Sequence, residues 1–359
     1  MNTKYLKWIV LSFILCSCSE KQLEPISGSL GKPGIVTEVT TEAISGGVII
    51  SYRIPDSEDI LAVKGVYTLA DGKEHTTIAS FIEGYNDMEE HEVQLYAVNR
   101  AQEESDPVKV SFRPLESSLS KITKTITIVS DFGGAQFNWK NEDKAPVTME
   151  FLAQDSVGLM QVMKIITTQS DSSRQSLRGY APEPRVFAAI VRDNFGNASD
   201  TVYPSERTIT PLFEEKLNKR NMNVMKLTND ASFTNWEGMD SYLIDDDHDT
   251  FGHSANSSLP AAFTVDLGQV AKLSRIVMFQ RKYSDSYYNW GNPLTFTVYG
   301  CDKKPSQNGD WSEWTKIMDC EILKPSGSPS GTVTDEDITA AEVGNEFAFE
   351  LTQSPLRYI

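Results

Sequence analysis

Chemistry that needs soft metal ligands or a strong nucleophile has little to work with here, because the 359 residues hold only four histidines and four cysteines. G-x-S-x-G, G-x-G-x-x-G, the P-loop and H-E-x-x-H are all absent, which removes the common signatures of serine hydrolysis, dinucleotide binding, nucleotide binding and zinc proteolysis. Positive charge is also short, with 33 Lys and Arg against 50 Asp and Glu and a formal net charge of −17. Binding that relies on neutralising phosphate, in nucleic acid or at an anionic membrane, is therefore excluded as the main role. No apolar run reaches the ~20 residues that a membrane-spanning helix needs. What is present, 40% hydrophobic and 10% aromatic residues, is enough to bury cores in the two or three domains that this length allows.

Residues 1–17 have the make-up of a secretory signal: Lys4 and Lys7, an apolar stretch from Trp8 to Leu15, then small residues. Leu15-Cys16-Ser17-Cys18 resembles a bacterial lipobox, with Cys18 as the residue that is acylated and becomes the new N-terminus. Several acyl chains on one cysteine hold where a single chain is marginal. The expectation is a chain lipid-anchored at Cys18 on the outer membrane, touching the bilayer through that anchor alone, with a linker over 18–30. An ordinary signal peptide with incidental cysteines is the alternative. Of the other two cysteines, Cys301 ends a strand and faces Trp314 if the next strand forms a hairpin with it. Cys320 then lies about 20 Å further on, at ~3.4 Å per residue. A disulfide tolerates about 7 Å between Cα atoms, so two free, largely buried thiols are expected.

The chain repeats itself. Gly46-Gly47 opens the alternating run Val48–Tyr52, and Gly133-Gly134 opens Ala135–Trp139; the two landmarks are 87 residues apart. Val98-Asn99-Arg100 with Ser105-Asp106 answers Val191-Arg192-Asp193 with Ser199-Asp200 at offsets of 93 and 94. A slowly drifting offset of this size means tandem modules rather than a solenoid. Period-two alternation, as in Ala135, Phe137 and Trp139 against Gln136, Asn138 and Lys140, predicts half-buried antiparallel strands. Turn signals at Pro55-Asp56-Ser57, Asp71-Gly72 and Gly196-Asn197 punctuate them. The fold class expected is all-β: fibronectin III/Ig-like β-sandwiches over 31–115 and 116–212, a connector over 213–227 with a short helical turn, and a third module from 228.

In that third module Asp245-Asp-Asp-His-Asp-Thr-Phe-Gly-His-Ser254 precedes Ala262–Gly268, Leu273–Arg281 and Asn292–Gly300. The series resembles the discoidin module (coagulation-factor C-type, galactose-binding-like), an antiparallel jelly roll that bacteria use to bind carbohydrate; the likeness covers 228–359. The whole arrangement resembles surface lipoproteins of Bacteroidetes that accompany polysaccharide-utilisation systems. That resemblance implies capture of a polysaccharide or oligosaccharide beside an outer-membrane importer. It also implies structural Ca²⁺ through a D-x-D-x-x-T pattern, which falls on Asp245, Asp247 and Thr250. Clustered carboxylates suit that hard cation, although a solvated acidic turn has the same sequence. The loop is no EF-hand, since Thr250 stands where its glycine belongs, and zinc is disfavoured by the lack of thiol ligands. Gly252 stands where such modules carry an aromatic, which removes a wall from the loop. Pro355–Ile359 resembles a penultimate strand, so the module reads as incomplete.

A pyranose offers an apolar C–H face and a rim of hydroxyls, and its sites pair aromatic platforms with planar hydrogen-bonding side chains. The loop Arg281–Asn292 carries both. Tyr287, Tyr288 and Trp290 are the candidate platforms and Arg281, Asn289 and Asn292 the candidate hydroxyl readers, with Trp236 and His253 from neighbouring loops. Each also has a plain structural reading, such as Trp290 plugging the sandwich end. Trp311 and Trp314 read as sandwich core, and Glu342–Phe349 as loop and edge strand. The function expected is non-catalytic glycan binding at the cell surface. A protein-binding scaffold of an importer complex is the alternative. A glycoside hydrolase is weaker, since no pair of carboxylates is marked and three sandwiches use up the chain.

Overall fold

The computed structural model describes residues 30–78, 80–233, 238–254, 259–282 and 286–359. The described chain is mostly antiparallel strand with two short helices, and none of its helices is long and apolar enough to cross a membrane. Two compact units form. One takes the described residues up to Val129 with Gln136–Gln175 and Arg185–Thr208; the other takes Ser130–Ala135, Ser176–Pro184 and Ile209–Ile359. Cys18 and Trp236 lie outside the described residues.

The first sandwich is built from β1 (Thr37–Ile44), β2 (Gly47–Arg53), β3 (Ile60–Thr68), β4 (Glu74–Thr77), β5 (Phe81–Glu83), β6 (His91–Asn99) and β7 (Val108–Phe112). They form the sheets β1-β2-β5 and β4-β3-β6-β7, the three-plus-four division of fibronectin and immunoglobulin sandwiches. Val48, Ile50, Val63, Ile82, Val93, Leu95 and Ala97 fill the space between them, each from an alternate position of its strand.

The second sandwich repeats this plan with β8 (Thr127–Asp131), β9 (Gly134–Lys140), β10 (Val147–Gln154), β11 (Met160–Thr168), β12 (Ser172–Leu177) and β13 (Phe187–Asp193), in the sheets β12-β9-β8 and β11-β10-β13. The repeat is physical as well as textual. Ser105 Oγ accepts the Ala97 N–H at 3.0 Å, and Ser199 Oγ accepts the Val191 N–H at the same 3.0 Å. One expectation is corrected here, and one element is new. Ser118–Thr125 forms helix α1, because Ser117 caps it by accepting the Ser120 N–H and Leu119 and Ile122 are buried on one side. Gln136, expected on the wet face, is buried.

The last part of the chain contains β14 (Asn223–Met225), β15 (Thr264–Ala271), β16 (Arg275–Met278), β17 (Thr295–Gly300), β18 (Thr315–Glu321), α2 (Asp335–Val343), β19 (Asn345–Ala348) and β20 (Leu356–Tyr358). Sheet orders are β14-β15-β20, β16-β19 and β17-β18, around a core of Val265, Leu267, Leu273, Val298, Cys320, Phe349 and Leu356. The connector holds a 3-10 turn at Lys219–Asn221 and contributes β14. Gly300 pairs with Thr315, the register expected from setting Cys301 opposite Trp314, and both thiols are free. Cys320 is buried, but Cys301 is only partly covered; burial still pushes its thiol up to about 11. β20 bonds on both sides, to β15 through Val265 and to Cys301. Trp311, expected in the core, is 53% exposed. Of Glu342–Phe349, expected as loop and edge strand, Asn345–Ala348 is the edge strand β19, paired with β16 alone, whereas Glu342 and Val343 end α2 instead of forming a loop.

Helix α2 starts at a capping box, Thr334 with Asp337. The Asp337 carboxylate, 0% exposed, accepts from the Ser326 N–H, the Ser326 hydroxyl and the Thr334 N–H at 2.8–3.0 Å. Burial alone would raise its pKa; the N–H groups of Thr334 and Ser326 outweigh that and hold it at about 2. Since the folded value lies below the ordinary 3.8, this carboxylate stabilises the fold above that pH and ceases to as pH falls toward 2. Asp337→Asn is expected to lower the melting midpoint at neutral pH and to flatten its decline between pH 4 and about 2, read by thermal denaturation across that range.

Candidate functional site

Two loops of the C-terminal module are fastened side by side. One is the acidic loop 245–253; the other leaves β16 at Phe279 and returns at Asn292. His248 stacks on Phe279 with ring centroids 3.7 Å apart, the Arg281 guanidinium lies 4.3 Å over the Phe251 ring, and Lys282 pairs with Asp249 at 3.1 Å. His253 meets Phe251 edge-on at 6.4 Å. Arg281 and His253 are thus gathered around one aromatic, Phe251, which the sequence reading passed over. A side chain at Gly252 would run into Leu243, its Cβ only 2.4 Å from Cδ2. A side chain there displaces Leu243, and Phe251 is the aromatic of this loop that Arg281 and His253 contact.

Asn292 closes the second loop. Its Oδ1 accepts the Arg281 N–H at 2.8 Å and its Nδ2 donates to the Ser286 carbonyl at 2.7 Å. Its amide is spent on the backbone, so the expected role as a hydroxyl reader is corrected to a loop clasp. Tyr287 is corrected too: at 7% exposure it is packed inside and offers no platform. Burial raises the pKa of its phenol. Tyr288 is half-buried, donates its N–H to Gln280 Oε1 at 2.6 Å, and has its hydroxyl buried near the Gln280 side chain. Burial, then the charge of Asp337, raises the Tyr288 pKa against the lowering by the Gln280 hydrogen bond.

Trp290 stands out from this scaffold, 73% exposed, with Asn289 half-buried beside it. Tyr288, Trp290 and Gly291 have φ of 56°, 50° and 86°. A left-handed backbone at two bulky aromatics is strained, and such strain concentrates at ligand-binding turns.

In the acidic loop Thr250 Oγ1 donates to Asp245 Oδ2 at 2.6 Å and contacts the Asp247 carbonyl at 3.0 Å. The Asp247 carboxylate faces elsewhere, accepting the Asp249 N–H. These hard oxygen donors fit calcium by type. Only one carboxylate takes part, and among the described residues no three Asp, Glu, His or Cys side chains converge on a metal position. Lys216 and Lys219 hold the neighbouring Asp246 carboxyl below its ordinary range.

The chain is 33% identical to the SusE-like protein BT2857, over 66% of its own length and 88% of that protein's, with a TM-score of 0.41. It belongs to the SusE-like proteins. Domains of unknown function match this SusE-like chain in succession: DUF4959 over 33–114, DUF5126 over 115–220 and DUF5000 over 224–359. Two solved structures are similar over 49% of the chain: the chicken interferon gamma receptor alpha chain (10% identity, TM-score 0.21) and a two-domain fibronectin type III segment of chicken tenascin (11%, 0.23). Each is covered to 98%. They add nothing to the strand order already described. No curated protein matches the SusE-like chain.

Proposed function

We propose that this chain is a non-catalytic lipoprotein of the outer cell surface, anchored through Cys18, which captures glycan with the loop end of its C-terminal module as an accessory to polysaccharide uptake. The observation that carries the reading is Trp290, a solvent-facing indole on a strained turn that Asn292 ties to Arg281, whose guanidinium lies over Phe251. Its face suits the C–H face of a sugar, and the nearby polar groups suit its hydroxyls. Membership of the SusE-like proteins supports placement at an importer. The test is calorimetry against a panel of polysaccharides. Trp290→Ala is expected to weaken binding at least tenfold, ~1.4 kcal/mol, with an unchanged melting midpoint; undiminished binding overturns the reading.

Calcium belongs to the same proposal, held by Asp245, Thr250 and the Asp247 carbonyl to stiffen the loop that carries Phe251. A ligand bound only by the folded state raises its stability. Roughly millimolar calcium is expected to raise the melting midpoint over that in EGTA, and Asp245→Asn to erase the difference. Equal midpoints with and without calcium in the unaltered chain sink this part.

A second reading, a scaffold for a protein partner, rests on β11. This edge strand runs nine residues, and Val162, Met163 and Ile165 are about half exposed. The matching edge of the first sandwich, β4, is four residues of Glu-His-Thr-Thr. Short polar edges resist strand addition, whereas long apolar ones invite it. If β11 receives a strand of an importer component, Ile165→Lys abolishes sugar-independent pull-down while Trp290→Ala leaves it intact.

A further inference from the structure

We infer that the C-terminal module carries a second aromatic platform, Trp311 braced by Tyr299, which contacts the same extended glycan chain as the Trp290 loop. The inference rests on the glycan-binding reading above and adds a site to it. Trp311 is 53% exposed and meets the Tyr299 ring edge-on at 4.9 Å and 62°. A lone exposed tryptophan is ordinary; here the turn that presents it is clamped from several sides. Asn229 Nδ2 donates to the Gly309 carbonyl at 2.6 Å, and Thr228 donates from both its N–H and hydroxyl to the Gln307 carbonyl. Glu313 accepts the Ser306 N–H at 2.7 Å, and Asp310 caps the 3-10 turn Trp311–Glu313 by accepting the Ser312 N–H. Gly309, at φ 70°, admits no side chain, since a Cβ would fall 1.8 Å from Asn229 Oδ1. The indole is therefore fixed before any ligand arrives, which lowers the ordering cost of binding.

The surroundings point to a sugar. Tyr299 shares the outer face of β17 with the exposed Thr297 and Thr295. Across the hairpin stand Lys316 and Asp319, paired with each other at 2.7 Å, with Thr297 donating to Asp319 at 2.8 Å. An aromatic pair thus opens onto a flat track of hydroxyl, ammonium and carboxylate groups. Thr295 closely follows the Trp290 loop, and Tyr299 is four residues further on, about 14 Å at ~3.4 Å per residue. A polysaccharide is long enough to run from the Trp290 loop along this strand and a monosaccharide is not, so the ligand class assigned is an extended glycan.

The experiment uses the full chain and a polysaccharide that it retains in affinity electrophoresis, alongside calorimetry with a short oligosaccharide of the same repeat. Linking two contacts multiplies affinity by effective concentration. Trp311→Ala is expected to weaken polymer retention at least tenfold, to leave oligosaccharide affinity within about twofold, and to melt as the unaltered chain does; Trp311→Phe is expected to recover much of the loss. Unchanged polymer retention in Trp311→Ala overturns the second platform and leaves the Trp290 reading standing. Retention lost in Trp311→Ala but kept in Trp290→Ala would show a site that acts without the Trp290 loop, and overturns both the shared chain and that reading. Loss of the short oligosaccharide as well in Trp311→Ala would show a single site and overturn the inference. So would a loss confined to a protein partner.

Discussion

Replacing Arg178 by alanine is expected to remove about 3–5 kcal/mol of stability from the unit that contains it, a large effect for a single charge. The side chain is 8% exposed and lies 3.2 Å from Asp131, 3.3 Å from Glu214 and 3.4 Å from Glu346. It also donates to the Phe132 carbonyl at 2.8 Å. Arg275 pairs with the same Glu214 and Glu346, at 3.3 and 2.5 Å, so two guanidiniums face three carboxylates. Burial works against the Arg275 charge, but Glu346 and Glu214 outweigh it and raise its pKa further. Removing Arg178 takes the paired cation from the Asp131 carboxylate, itself 2% exposed, and leaves it the Phe132 N–H and the Ser176 hydroxyl; a buried charge without its counter-ion is what makes such truncations costly.

The same reasoning separates this from an ordinary surface pair. Lys32–Asp106, with both side chains more than half exposed, falls in the class worth about 0–1 kcal/mol, and Lys32→Ala should leave the urea midpoint within error. For Arg178 the check is urea unfolding of Arg178→Ala, Glu214→Gln and the double variant. Strong non-additivity is expected, because the second change relieves part of the charge imbalance left by the first. Additive losses would show that the groups act independently and that the cluster is not one network. Arg178→Lys should sit between, since a point charge replaces a planar fork serving three acceptors.

Much of this fold is legible in the residues. The period-two runs became strands, and the serine of each repeated Val-x-x…Ser-Asp string makes the same hydrogen bond in both sandwiches. The two helices were harder to see for different reasons. α1 is rich in Ser and Thr, poor helix material by propensity, and only the Ser117 cap and the spacing of Leu119 and Ile122 announce it. α2 had a readable signal in Thr334-x-x-Asp337 with an acidic first turn. In the binding loop, composition identified the segment but not the direction of each side chain. Trp290 points out, Tyr287 points in and Asn292 closes the turn, because the left-handed residues at 288, 290 and 291 rotate successive side chains away from any regular period. Phe251 went unnoticed because its role depends on a partner, Arg281, thirty residues away.

The doubled glycines that first exposed the repeat lead to the other large expected effect. Gly46 and Gly133 have φ of 63° and 65°, a conformation that glycine adopts without cost. Their neighbours are needed for a different reason. A Cβ on Gly134 would lie 1.8 Å from the Leu177 carbonyl oxygen and 3.2 Å from the Arg178 Cα, and one on Gly47 would lie 2.1 Å from the Ile82 carbonyl oxygen. These obstacles are backbone, so two paired strands must part to admit one methyl group. Gly134→Ala is therefore expected to cost about 3 kcal/mol, at the upper end for overpacking. Gly179→Ala is the matched control: its φ of 95° is unfavourable for alanine, but nothing lies within 4 Å of the new Cβ, so its cost should stay near the 1–2 kcal/mol of a left-handed residue. Urea midpoints at constant m-value separate the two. If the two substitutions cost the same, backbone conformation rather than strand contact explains the pair, and the close approach of β9 to β12 is not what both sandwiches preserve.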